Sequence, residues 1–227
     1  MKFYTAIGRF EMRYSETGER YPLVMLGRQE CLLDSRELML WSAMTWRILS
    51  QEQAEQCYQT RMECATISEG MGCGHYLKRL MQRGLISCGE AESDEDALYE
   101  LVCELHVIPR KRSMLKKIMM FMTMLYRHIP FREAKAVFAK ELLTLEQEQI
   151  LKLTQRVELS IPEVIQCIET GVNHLSSDIE VMDALYLEPC TTSANMVFTA
   201  KNARCRRKVM MALSDLYLRQ LISFGRL

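Results

Sequence analysis

The strongest constraint on this chain is that one run of helix-start signals occurs in it twice. Residues 32–57, LLDSRELMLWSAMTWRILSQEQAEQC, lie over residues 142–167, LLTLEQEQILKLTQRVELSIPEVIQC, at an offset of 110 without a gap. Identical pairs are few (Leu-Leu, Leu-Ser and Gln-Cys), so the match rests on capping chemistry. Asp34 stands three residues before Glu37, and Thr144 three before Gln147. In each pair the first side chain can accept from the third helical N–H while the later one reaches back to the cap. Ser50 with Gln53 and Ser160 with Glu163 repeat the arrangement, and Pro162 suits a first turn. Each half is therefore expected to open with a helix of about fourteen residues and a shorter second one. Further starts follow at Ser68 and at Ser177 with Glu180.

The remaining segments are placed more coarsely. Residues 3–14 and 21–31 alternate apolar and polar around SETGER, which predicts an N-terminal β-hairpin with Gly18 at its tip. Residues 113–127 and 131–141 read as two linking helices separated at Pro130. The apolar run IMMFMTMLY at 118–126 is too short to span a bilayer and reads as a buried helix, its methionines as soft core filler. A last helix at 203–223 aligns Val209, Leu213, Leu216, Tyr217, Leu221 and Phe224 on one stripe, to pack internally or against a second copy. The expected division is hairpin 1–31, module 32–108, linking helices 109–141 and module 142–227.

Charge is zero overall but comes in alternating blocks. Residues 87–105 carry seven acids and no Lys or Arg, whereas 106–140 carry nine bases against Glu133. Residues 141–190 are acidic again, and KNARCRRK at 201–208 is basic. Such blocks usually mark solvated faces and less often partner surfaces. The nine cysteines form no CxxC pair, and the start MKFYTAIGRFEMRY has no signal-peptide core. Reduced thiols and a cytoplasmic location are the resulting expectations.

Within 74–96, GHYLKRLMQRGLISCGEAESDED, two kinds of surface meet. Leu77, Leu80, Met81 and Leu85 fall on one side and are expected in the core. His75, Lys78, Arg79 and Gln82 fall on the other, offering donors for base edges and phosphates, with Arg83 at the rim and Gly84 as a left-handed helix end. The order of two capped helices, YLKRLMQRGLI, a turn at Gly89 and a helix from DEDALYELVCEL resembles a bacterial winged helix-turn-helix of the MarR and PadR kind over residues 33–105. The resemblance implies DNA binding in many such families and protein contacts in others. A wing bearing Glu90, Glu92, Asp94, Glu95 and Asp96 would repel phosphate. The acidic half is therefore read as a truncated wing entering a helix start, or else as a protein-binding face.

Enzyme signatures are absent: there is no Gly-rich phosphate loop, no HExxH and no nucleophile elbow. The reading is a mainly α (α+β) protein of tandem winged-helix-like modules, non-catalytic and without cofactor or metal. It is expected to regulate transcription by binding double-stranded DNA. His75, Tyr76, Lys78, Arg79, Gln82 and Arg83 would read the duplex. Arg110, Lys111, Arg112, Lys116, Lys117, Lys201, Arg204, Arg206, Arg207 and Lys208 would anchor phosphates. A homodimer through the C-terminal helix is a further expectation. The alternatives are a protein-interaction scaffold similar to the winged-helix subunit of bacterial condensin, with its partner at the acidic faces, and a plasmid or phage replication initiator.

Overall fold

The structure, a computed structural model, describes residues 1–65, 71–110, 114–139, 142–187 and 191–226, with Lys116 described in its backbone alone. The fold is α+β, with helices enclosing three small antiparallel sheets. The first unit begins with strand β1 (Lys2–Ala6). A meander of β2 (Arg9–Tyr14), β3 (Arg20–Leu26) and β4 (Gln29–Leu32) follows, and then helix α1 (Ser35–Met44). Next come β5 (Leu49–Ser50), α2 (Gln51–Ala65), α3 (Cys73–Gln82) and β6 (Ile86–Glu90). Strand β1 lies between β5 and β6, so it is the middle strand of this unit's sheet. Helix α4 (Asp94–Val102) leads to the second unit.

The second unit repeats this order. Strand β7 (His106–Pro109) comes first, followed by an insertion of α5 (Met114–Tyr126), α6 (Phe131–Ala134) and a 3-10 turn at Lys135–Phe138. Then come α7 (Leu145–Leu153), β8 (Leu159–Ser160), α8 (Ile161–Thr170), α9 (Asp178–Leu185), α10 (Ser193–Lys201), α11 (Arg206–Leu218) and β9 (Ile222–Gly225). Strand β7 again occupies the middle, between β8 and β9. The helix pairs α1–α2 and α7–α8 begin 110 residues apart, and all four capping boxes form.

A second repeat closes each unit. RGLISCG at 83–89 recurs as RQLISFG at 219–225. In both, a helix ends on a residue of positive φ, Gly84 at 71° and Gln220 at 60°. The next amide then reaches back across the last turn, Leu85 N–H to Leu80 O and Leu221 N–H to Leu216 O, each 2.9 Å. This is the hydrogen bond of a Schellman end. The N-terminus of the first helix is pinned alike in both units. Arg83 donates to Leu32 O, and Arg219 to Leu142 O at 3.3 Å.

Several expectations are corrected by this topology. Residues 3–14 do not form one strand: the chain turns at Gly8 (φ 94°), sending β1 into the first sheet and β2 into the meander. Residues 1–31 thus divide between two sheets, and β7, which pairs with β8 and β9, spans the expected boundary at 108. Helices α1 and α7 stop after ten and nine residues. The helix expected to 223 ends at Leu218, leaving Phe224 in β9. Gly89 is no turn but the point where α4 crosses β6. A Cβ there would lie 2.1 Å from Ala97 O, so only glycine lets the helix seat. Ser68 lies outside the described residues.

The units share a packed interface. Ile7, at the end of β1, belongs to the core cluster of the second unit. Tyr217 reaches from α11 into the first unit, where its hydroxyl lies 2.8 Å from Thr5 Oγ1 and accepts from Trp46 N–H at 3.1 Å.

Candidate nucleic-acid interface

Helix α3 turns Cys73, Tyr76, Leu77 and Leu80 into the core at i, i+3, i+4, i+7 spacing and leaves His75, Lys78, Arg79 and Gln82 outside. Nothing between Cys73 and Gln82 is acidic. Tyr76, expected among the reading residues, is withdrawn from that role. Its ring is 6% exposed and packs against Tyr58, and its hydroxyl accepts from Arg36 Nη1 at 3.0 Å.

The two arginines of this helix end converge on one buried carboxylate. Glu37, 1% exposed, accepts from Arg83 Nη1 at 2.8 Å through Oε2. Arg79 Nε lies 2.9 Å from Oε1, an oxygen that has no aligned hydrogen bond and is held by charge. Arg83 is thus a structural clamp on the first helix and not a phosphate contact at the rim. Arg79, half exposed, keeps part of its guanidinium in solvent. Asp34 Oδ2 also lies 3.6 Å from Arg79 Nη1, so two cations meet two anions at this helix end, and Lys78 is left without an ion-pair partner among the described residues.

The corresponding face of the second unit has other chemistry. By the closing repeat, Lys78 and Arg79 stand where Ser214 and Asp215 do. Gln147, the counterpart of Glu37, is 4% exposed and donates to Asp215 Oδ2 at 2.6 Å. Helix α11 therefore keeps the contact between first and last helix but lacks the cationic face.

No further strand lies between β6 and α4, and β6 pairs with β1 along its whole length. Residues after β6 enter α4 directly, with Ser93 capping and Asp94, Glu95 and Asp96 in the first turn. Among the described residues, five of the seven acids in 87–105 have cationic partners. Glu90 pairs with Lys2, Glu95 with Arg207, Asp96 with Arg206, Glu100 with Lys201 and Glu104 with Arg226. Hydrogen bonds from Ser93 and then Arg206 hold the Asp96 carboxyl below its usual range.

That pairing removes much of the expected phosphate anchorage. Lys201, Arg206 and Arg207 face α4, while Arg204 and Lys208 stay exposed. Arg110 stacks on Trp46 at 4.7 Å in a cleft of about 540 Å³ between β2 and α1. Lys117 is half-buried, Lys111 and Arg112 lie outside the described residues, and so does the side chain of Lys116. Sequence reasoning missed Arg9, Arg28 and Arg226, which line a cleft of about 520 Å³ with His106. Arg226 Nη1 comes within 3.4 Å of where a Gly84 Cβ would stand, beside the end of α3. These arginines are scattered singly along the chain, so no local run announces them.

The eight described cysteines are free, and burial pushes Cys73 up to about 11 and Cys167 and Cys205 up to about 12, which keeps them as thiols. Cys88 is raised by the same cause. Among the described residues no group of three or more His, Cys, Asp or Glu is placed to hold a metal ion, and no helix is long and apolar enough to cross a membrane. No family model, curated protein or solved structure matches the chain.

Proposed function

We propose that the chain binds double-stranded DNA through α3 of its first unit, as a regulator of the winged helix-turn-helix kind in which β1 stands in for the second wing strand. One observation carries this reading: a helix of high amphipathicity, third in its unit, presents His75, Lys78, Arg79 and Gln82 to solvent with no carboxylate among them. These side chains donate to base edges and phosphates. Arg226 lies beside the end of that helix but is paired with Glu104, so Lys78 and Arg79 carry the contact.

With so few free cations the contact is short. Two to four neutralised phosphates give a log–log salt slope of about −2 to −4. Fluorescence polarisation with a random-sequence duplex across a salt series measures it. Replacing Lys78 and Arg79 by Ala is expected to abolish binding at moderate salt, while Arg206→Ala and Arg207→Ala leave it nearly unchanged. Absence of binding at low salt, or full affinity without Lys78 and Arg79, defeats the proposal.

A second reading, a non-catalytic interaction scaffold, is favoured by the missing wing and the neutralised 201–208 block. Its expected acidic docking face is largely paired within the chain, so a partner would have to meet another surface.

A further inference from the structure

We propose that the chain forms a two-fold homodimer by pairing α5 with α5 of a second copy. The run 118–126, expected to be buried, exposes Ile118, Met119, Met120, Met122 and Tyr126. None of the described side chains of α5 is buried. Its inner side rests on its own insertion, with Phe121 edge-on to Phe131 at 5.7 Å and to Phe138 at 5.3 Å. Its outer side is uncovered: Leu115 is 72% exposed, Met119 69%, Met122 58% and Tyr126 86%.

Those four positions are spaced 4, 3 and 4, the interval at which one helix locks knobs into the holes of another. Residues 118–126 hold no charge, so a copy of the same stripe meets no like charge along this stretch. A stripe that complements itself satisfies a two-fold axis, in which each copy presents the same surface to the other. The outer stripe with Ile118 amounts to roughly 100 Å² per large side chain, or about 500 Å² per copy and about 1,000 Å² across a pair. That reaches the roughly 1,000 Å² total that a specific interface needs. Dimerisation thus belongs to α5 and not to the C-terminal helix. The α11 stripe of Val209, Leu213, Leu216 and Tyr217 is buried within the chain.

Light scattering after gel filtration of the full chain, across the micromolar range, is expected to give twice the chain mass. Met119→Glu with Met122→Glu should weaken association by about a hundredfold or more, with circular dichroism and unfolding midpoint retained. A Met119→Cys or Met122→Cys variant should form an oxidised covalent dimer under mild oxidation. A single-chain mass at every concentration overturns the proposal, as does a dimer that survives both glutamates. Sedimentation with anionic vesicles that the glutamates abolish, from a chain otherwise monomeric, reassigns the helix to a lipid surface and also overturns it.

Discussion

Gly84 and Gln220 end equivalent helices with the same left-handed backbone, but only one of them is a residue suited to it. A side chain in that region costs about 1–2 kcal/mol, because its Cβ crowds the backbone carbonyl. Gln220→Gly is therefore expected to stabilise the chain by about 1 kcal/mol, and Gly84→Ala to destabilise it by at least as much. Denaturant titration of both variants checks the pair, and opposite signs are required. The same comparison distinguishes site from scaffold. Arg83 has its counterpart in Arg219 and so belongs to the repeated architecture, whereas Lys78 and Arg79 have no cationic counterpart and are peculiar to the first unit.

At the level of elements, α4 is the piece that joins the units. Its Gly89 crossing sets it on β6, and its acids face the bases of α10 and α11. Each of these pairs is at least partly exposed and modest alone, so their value lies in fixing which face meets which. Arg206→Asp should lower the unfolding midpoint, and adding Asp96→Arg should recover part of the loss. A thermal double-mutant cycle showing simple additivity would leave the pair without a role in docking. The order β6–β1 explains the acidic half of 74–96 in the same terms. Glu95 and Asp96 start a helix and pair with Arg207 and Arg206 across the interface between the units.

For the molecule as a whole, one source of proton linkage is His106 in β7, the middle strand of the second sheet. Burial lowers its pKa, and its Nδ1 is buried without a hydrogen-bond partner. Between the folded value and the ordinary value of about 6.5, the unfolded chain binds the extra proton. Stability is therefore full above about pH 6.5 and declines as pH falls through that region. The unfolding midpoint should drop on acidification from neutral, and His106→Asn should flatten the drop. An unchanged pH profile in that variant would remove His106 from the account.

Local order was largely legible in the chain itself. Four capping boxes, the Ser177 cap and the inward face of α3 act over three or four residues, a range in which neighbouring side chains determine the outcome. The closing repeat was legible too, in RGLISCG and RQLISFG, but a helical stripe read through to Phe224 obscured it. What the tertiary structure alone decided was which strand fills the middle of each sheet and what each charge block faces. Strand β1 supplies a partner that 87–105 would otherwise have had to provide, and the block at 201–208 meets the acids of α4. Composition likewise marked 118–126 as apolar without showing whether this chain covers it. Pairing partners and covering surfaces lie up to a hundred or more residues apart along the chain, and contacts at that range leave no periodic trace in the residues that make them.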